Sequence, residues 1–518
     1  MSGDTLQIFV SMIIYMAVVI GIGLYFAKRA NESSENYFLG GRTLGPLVTA
    51  MSAEASDMSG WLLMGLPGVA YWYGLSDAAW TAIGLAVGTY LNWLFIAKRL
   101  HNYSVAAGNS ITLPDFFSNR FKEKNKIIMT ISAVFILVFF IVYASSCFVT
   151  VGKLFNALFG FKYQYMMILG AVFVLFYTYI GGFLAESASD TMQAFVMIIA
   201  LVTVLLVGTS AAGGAAQVIE NAKGIPGFFE FFGIASPAIT DGVQEVVNGV
   251  PQYKEAGKYG LYTVLSTLAW GLGYFGMPQV LLRFMAIRDP NELKTSRRIA
   301  TVWVVISLGA AVAIGIIGRA VFSTALLTYS DSENIFIVLS SKLLPAFLAG
   351  FVMAGILAAT ISSSDSYLLI AASAFSKNIY QHLINKNASD KQVMNVSRII
   401  LLVIFIIGIF IALDEDSVIF TIVSFAWAGF GATFGPITIF SLFWKRTNRE
   451  GAIAGMLSGG IMVFVWKLIL KPMGGFFGVY ELLPAFIVSC IFIYAVSKMT
   501  AEPSEEIQKE FEMVRKMS

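Results

Sequence analysis

The run from Thr5 to Ala27 carries no charged side chain. At about 1.5 Å of rise per residue, a helix over this run crosses the roughly 30 Å hydrocarbon core of a bilayer. Comparable apolar runs recur along the chain, at roughly 5–27, 45–70, 76–97, 127–155, 164–182, 191–213, 259–281, 299–325, 336–375, 396–413, 417–444, 451–470 and 480–497. Inside hydrocarbon the backbone must satisfy its own hydrogen bonds, so such runs fold as helices. The sequence therefore predicts an all-α polytopic membrane protein of about thirteen transmembrane helices. The long 45–70 and 336–375 segments should contain breaks or run past the bilayer.

Composition supports this class. The chain is 57% hydrophobic and 13% charged, against about 25% charged for a soluble domain, so lipid is the expected cover. A net charge of +3 and scattered basic residues give no nucleic-acid surface. The first lysine, Lys28, follows the first run rather than preceding it, so this run is expected to be a retained helix with its N-terminus outside. Most of the 34 Lys and Arg, Arg283 among them, then fall in loops on the inner side, which puts the C-terminus in the cytoplasm. The loop at about 214–258 and the tail after Pro503 are too small for a catalytic domain, and one membrane domain over 1–518 is expected. His101 and His382 fall in charged loops, and Cys147 and Cys490 sit inside apolar runs as small hydrophobes. No nucleophile–base pair suggests an enzyme.

Three stretches carry chemistry. The first, Ser52-Ala-Glu-Ala-Ser-Asp-Met-Ser-Gly-Trp61, places Glu54 and Asp57 in the second run. A carboxylate at mid-membrane costs about 2.5–3.5 kcal/mol even on insertion scales, so it needs a cation, a wet cavity or a basic partner. The small polar residues around it favour a helix that opens its backbone, freeing carbonyls for a cation. Asp57 is deep in the run; Glu54 lies nearer its end, and snorkelling to water explains it equally well. In the second stretch, Ala359, Ser362, Ser363 and Ser366 share one helix face. Hydroxyls and carbonyls suit a hard monovalent cation, but Ser and Ala also let helices approach closely. Asp365 points about 200° away from Ser363 at 100° per residue.

The third stretch, Trp270-Gly-Leu-Gly-Tyr-Phe-Gly-Met-Pro-Gln279, matches G-x-G-x-x-G by letter only, since no strand precedes it. It reads as a second interrupted helix, with Trp270 and Tyr274 either lining a ligand or packing. Paired interruptions are a sequence pointer to a transporter site. Asp190 and Glu186 sit at the start of the sixth run, where a solvated helix N-terminus accounts for Glu186 and is one of two readings of Asp190.

These stretches, with Phe38-Leu-Gly-Gly-Arg-Thr-Leu-Gly45, Arg283-Phe-Met-Ala286 and Ala426-Trp-Ala-Gly-Phe-Gly431, resemble the sodium/solute symporter family over nearly the whole chain. The resemblance implies the leucine-transporter fold: a five-plus-five inverted repeat over 45–213 and 259–444, an extra helix at 5–27, two more at 451–497 and a cytoplasmic tail at 498–518. It implies a multi-pass carrier in a bacterial inner membrane that takes up L-proline with Na⁺, with no obligatory protein partner. By motif position the Na⁺ ligands would be the carbonyls of Ala55, Met58 and Ala359 and the hydroxyls of Ser362 and Ser363, with Asp57 acting on the ion. Ser59, Gly60, Trp61, Tyr143, Trp270, Tyr274 and Pro278 would line the solute site. Arg42 would lie on the cytoplasmic route and Asp190 near the exit. Three features depart from the family pattern: Ser363 stands for Thr, Glu54 for a small residue, and Ser364-Asp365-Ser366-Tyr367 for less polar residues. A symporter of pantothenate or a monocarboxylate, a transporter-fold sensor, and a channel are the competing readings.

Overall fold

In the computed structural model, which describes residues 3–30 and 34–517, the membrane bundle is helical from end to end. Residues 1–2, 31–33 and 518, the ends of the expected domain and part of the loop after the first span, lie outside the described residues. The first half runs through α1 (Gly3–Ala30), α2 (Ser34–Leu39), α3 (Pro46–Asp57), α4 (Leu66–Tyr73), α5 (Leu75–Leu91), α6 (Ala97–Ala106), α7 (Leu113–Arg120), α8 (Ile127–Phe159) and α9 (Tyr163–Ala211). After α10 (Ala215–Lys223) and a loop in which two small antiparallel hairpins are closed off by pairing of Gly233–Ile234 with Gly257–Lys258 come α11 (Leu261–Leu268), a 3₁₀ turn (Ala269–Gly276) and α12 (Pro278–Ala286). The rest is α13 (Leu293–Val321), α14 (Tyr329–Ser332), α15 (Ile335–Leu343), α16 (Ala346–Ser373), α17 (Asp390–Ile411), α18 (Ile419–Phe443), α19 (Arg449–Val465), α20 (Leu482–Met499) and α21 (Glu505–Met517).

Ten helices among the described residues are long and apolar enough to cross a membrane. The expected second and seventh spans are interrupted, as their sequences implied, and each is a pair of short helices. Met58 leaves the helical region (φ −86°, ψ 73°) and ends α3, and the chain re-enters helix through a wide turn at Trp61–Gly65. The Pro278 ring, which has no N–H to give, starts α12 directly after the 3₁₀ turn. The expected fifth and sixth spans form one element, α9, bent at Gly182 with φ 67° and ψ 171°, a conformation that an L side chain rarely adopts.

Burial sorts the helices. Every residue from Thr49 to Trp72 is buried, as is α16 from Val352 to Ser373, so neither has a lipid face. By contrast α17 turns Ile399, Leu402, Ile406 and Phe410 outward, the arrangement of a helix bordered by lipid. α16 packs on α1, α3, α8 and α9, and α18 packs on α8 and the 3₁₀ turn. The two interrupted helices thus meet at the centre of the bundle.

Several expectations are corrected. His101 belongs to α6 rather than a loop, is buried, and its Nδ1 lies 3.1 Å from the Phe284 carbonyl oxygen. Arg283 is inside α12 and fully buried, not in a cytoplasmic loop. Glu54 does not reach water; it is buried against Trp93. Glu186 is also buried, one turn into the second limb of α9, so it is no solvated N-terminus. In each case the side chain finds a partner on another helix, which local sequence context does not show. The tail holds α21, an amphipathic helix whose Ile507, Phe511 and Val514 are buried against the bundle.

Candidate functional site

The break in α3 determines what its last carbonyls can do. Met58 N–H still donates to Glu54 O (2.8 Å), but Ser59 N–H turns back to Asp57 O (3.1 Å). The Ala55 carbonyl therefore loses the donor that a continuing helix would supply. Two hydroxyls from α16 meet it instead, Ser362 Oγ at 2.8 Å and Ser363 Oγ at 3.2 Å. Ser362 Oγ also donates to its own turn, 2.8 Å from Ala358 O and 3.3 Å from Ala359 O. Ala55, Ala359, Ser362 and Ser363 are thus brought together by an opened helix end and one face of a continuous helix. The cluster holds neutral oxygens only and is fully buried. That donor set fits a weakly held monovalent cation, in which carbonyl and hydroxyl dipoles replace hydration without adding net charge.

Asp57 is turned away from that cluster. Its Oδ2 accepts from Tyr274 Oη at 2.8 Å and its Oδ1 from Gln279 Nε2 at 3.3 Å. The carboxylate therefore links the two interrupted helices rather than joining Ser362 and Ser363. Trp270 and Tyr274 are brought together across Trp427: ring centroids are 6.1 Å apart for Trp270–Trp427 and 5.0 Å, edge to face, for Tyr274–Trp427. Trp61 lies 6.4 Å from Trp270, and Phe420 and Tyr480 close the aromatic wall at 5.2 and 5.0 Å from Trp270. From α8, Tyr143 stacks on Tyr367 of α16 at 4.2 Å. The hydroxyls of Tyr143, Tyr367 and Ser59 are buried close to one another, with Tyr143 between the other two, a polar group that ligand atoms could meet. Gly60 and Pro278 sit at the two breaks themselves.

One turn along α16, Ser366 joins a charged network. Arg283 contacts Glu186, lies 3.3 Å from Asp190 Oδ2, and donates from Nε to Ser52 Oγ at 3.0 Å and from Nη2 to Ser366 Oγ at 2.8 Å. Ser366 Oγ also donates to Glu186, and Ser52 Oγ donates to Asp190 at 2.7 Å. Arg42 stands apart from both layers. It bonds the Met285 carbonyl at the end of α12, Asn109 Oδ1 at 3.0 Å and Ser110 O at 2.8 Å, fastening α12 to the loop between α6 and α7.

With this geometry in hand, comparison with known proteins is decisive. Residues 37–459 match the sodium:solute symporter family. The chain belongs to that family. Curated relatives include the sodium/proline symporter 2 of Staphylococcus saprophyticus, 39% identical over 517 residues, covering 99% of this chain and 96% of the relative. The sodium/proline symporter of Staphylococcus aureus strain USA300 / TCH1516 is 39% identical over 98% of this chain and 96% of its own. Among solved structures, a Na⁺-coupled sialic acid symporter in a substrate-bound outward-open state superposes with a TM-score of 0.75 at 18% identity, over 96% of this chain and 99% of its own. A nucleobase-cation-symport-1 transporter in a closed conformation gives 0.54 at 12% identity, over 92% and 98%. This is the leucine-transporter fold, and the chain is a multi-pass membrane carrier of the sodium:solute symporter family, not an enzyme.

As a symporter of this family, the chain carries site features that sequence reading passed over. Gln279 is the second donor to Asp57, Trp427 joins the two aromatic residues, and Tyr367 pairs with Tyr143. Tyr367 follows Ser363 by four residues, so helical spacing could have found it. Gln279 and Trp427 act through contacts between distant segments and carry no such signal.

Proposed function

We propose that this symporter takes up L-proline with Na⁺ by alternating access across a bacterial inner membrane. The observation that carries the reading is the Ala55 carbonyl, freed by the break after Asp57 and met by Ser362 and Ser363 from α16. The near-full-length relatives, both sodium/proline symporters, supply the solute. Na⁺ is held by the carbonyls of Ala55, Met58 and Ala359 and the hydroxyls of Ser362 and Ser363. With the ion in place the two serine hydroxyls turn their lone pairs to it and the opened backbone is fixed.

Asp57 acts on the ion indirectly, by pinning Tyr274 and Gln279 of the second interrupted helix to the first. Proline then lies between Ser59, Gly60 and Trp61 on one side and Trp270, Tyr274 and Pro278 on the other. Tyr143 supplies a donor for the solute carboxylate, and the aromatic wall covers the ring. Arg42 and Asp190 lie on the inner route. Thirteen spans, with repeats over 45–213 and 259–444, put the N-terminus outside and the C-terminus in the cytoplasm, and no protein partner is required.

Counterflow of labelled proline in liposomes under a sodium gradient tests carrier and solute together. Sodium-dependent accumulation that pantothenate and short monocarboxylates do not compete away supports the reading; no counterflow with proline sinks it. Ser363→Ala tests the ion site. Losing a contact to a charged group costs about 1.5–3 kcal/mol, or roughly ten- to a hundredfold in sodium affinity. Proline affinity should fall with it at fixed sodium and recover at high sodium, because coupling is reciprocal. Loss without recovery assigns Ser363 to packing.

A further inference from the structure

Three hydroxyls meet beside the first interrupted helix, and each comes from a different element. Tyr143 is on α8, Tyr367 is on α16, and Ser59 follows α3 in the break itself. All three residues are buried, and the Tyr143 hydroxyl lies between the other two. The two tyrosine rings stack with centroids 4.2 Å apart and planes 27° from parallel. Phe140, one turn earlier on α8, stacks on the Tyr367 ring at 5.1 Å. Tyr367 stands one turn beyond Ser363 on α16, so the two side chains share a helix face.

A hydroxyl carries one proton and two acceptor lone pairs. Three hydroxyls in a row form at most two hydrogen bonds with one another, which use two of the three protons. At least one O–H is left over, and no other group among the described residues accepts from any of the three. A buried donor is costly to leave without an acceptor. The row therefore has a proton to give to something the fold does not supply. Tyr367 decides which proton that is, because its hydroxyl reaches Tyr143 alone. When Tyr367 and Ser59 both donate to Tyr143, its lone pairs are taken and its own proton is the one that turns outward. Asp57 lies close enough for its charge to act on both tyrosines, so an anionic acceptor is admitted only beside a cation. The oxygens of Ala55, Ser362 and Ser363, one turn back along α16, are where a cation fits.

From the row of hydroxyls, its surplus proton and the place of Tyr367 one turn beyond Ser363, we infer that Tyr367 is a positioning residue for solute recognition. It donates to the Tyr143 oxygen and so directs the Tyr143 proton at the carboxylate of the solute. The stacked rings hold the two oxygens in register. The inference rests on the proline reading above and adds a residue to it. It also adds a route between ion and solute, since Ser362, Ser363 and Tyr367 ride on one continuous helix. A shift of α16 on loss of the ion moves the Tyr143 donor with it.

The experiment is equilibrium binding of labelled proline to the purified full-length protein at fixed, saturating sodium, with binding of labelled sodium measured separately without proline. Tyr143→Phe should raise the proline dissociation constant about ten- to a hundredfold, the loss of a donor to a charged group. Tyr367→Phe keeps the stacked ring and should raise it about two- to tenfold, the loss of one neutral hydrogen bond. The double variant should bind no more weakly than Tyr143→Phe alone, because Tyr367 acts through Tyr143. Sodium binding without proline should be unchanged in both single variants, which also shows that they fold; a packing defect beside Ser363 would lower it. Losses that multiply in the double variant overturn the positioning role, as does unchanged proline affinity or lowered sodium affinity in Tyr367→Phe. No proline binding by the unaltered protein, with sodium binding intact, is a different failure: it removes the proline reading and the inference with it.

Discussion

Two polar layers cross the bundle one helical turn apart, and they are built in opposite ways. The layer at Ser362, Ser363 and Ala55 contains neutral oxygens and is held by the break in α3. The layer at Ser366 and Ser52 contains Arg283, Glu186 and Asp190, one cation held between two carboxylates. α3 and α16 contribute to both layers, so the difference lies in what the other helices bring. α9 and α12 bring full charges to the second layer and none to the first. A neutral cradle leaves its dipoles free for a visiting ion and gains little by closing on itself. A self-paired network is expensive to open and serves to hold α3, α9, α12 and α16 in one arrangement.

The strongest way to break this contrast is Arg283→Gln. It leaves Glu186 and Asp190 buried without a cation, and removing one partner of a buried pair costs about 3–5 kcal/mol. The expected outcome is little folded protein in the membrane, measured by detergent-solubilised size-exclusion recovery and thermal melting. Near-normal folding with lost uptake would make the second layer part of the ion path rather than a fastening.

The next effect is steric. A Cβ on Gly60 would lie 2.3 Å from Thr150 Oγ1, 2.4 Å from its Cγ2 and 2.8 Å from its Cβ. Gly60→Ala should therefore displace the break and cost about 1–3 kcal/mol by overpacking, with loss of sodium-dependent uptake. Thr150→Ala removes the two nearest atoms and leaves the 2.8 Å contact, so the double variant should recover only part of the activity. Full activity in Gly60→Ala alone would separate the break from ion binding.

Tyr274→Phe is milder. It deletes one of the two donors to Asp57 and leaves Gln279 in place. A lost hydrogen bond to a charged group costs about 1.5–3 kcal/mol, and because Asp57 joins the two interrupted helices, sodium and proline half-saturation should rise together. A rise in proline KM alone would place the tyrosine hydroxyl on the solute and not on Asp57.

What the sequence made legible divides along the same line as the two layers. Hydropathy and the Ser52–Trp61 stretch were enough for the membrane class, the break near Asp57 and the serine face of α16, because each depends on periodicity within one segment. The network of Arg283 was not legible. Arg283 lies within a short proline-initiated helix at the end of an apolar run, and charge at such a place reads as a loop in sequence; its contacts with Glu186 on α9 show it to be buried. Asp57 was legible as a buried carboxylate but not in its partners, since Tyr274 and Gln279 come from a segment 217 and 222 residues away. The interruptions of the second and seventh spans were legible too, because the small polar residues around Asp57 and the glycines with Pro278 mark them locally.

The smallest effect separates the layers by the same chemical change. Ser52 accepts from Arg283 Nε at 3.0 Å and donates to Asp190 at 2.7 Å, while Arg283 still reaches Asp190 directly at 3.3 Å. Ser52→Ala therefore removes a bridge from a network that retains its charges, and one net hydrogen bond contributes about 0.5–1.5 kcal/mol. The melting temperature should fall slightly while sodium and proline half-saturation stay near those of the unaltered protein. Ser362→Ala makes the same deletion in the neutral layer. There Ser363 still meets the Ala55 carbonyl, so the fold loses as little, but a cation loses one of its few oxygens and sodium affinity drops. The pair reads as a cross-over: stability without affinity for Ser52, affinity for Ser362. Equal falls in sodium affinity for both would mean that the ion contacts the charged layer, and that the two layers form one site.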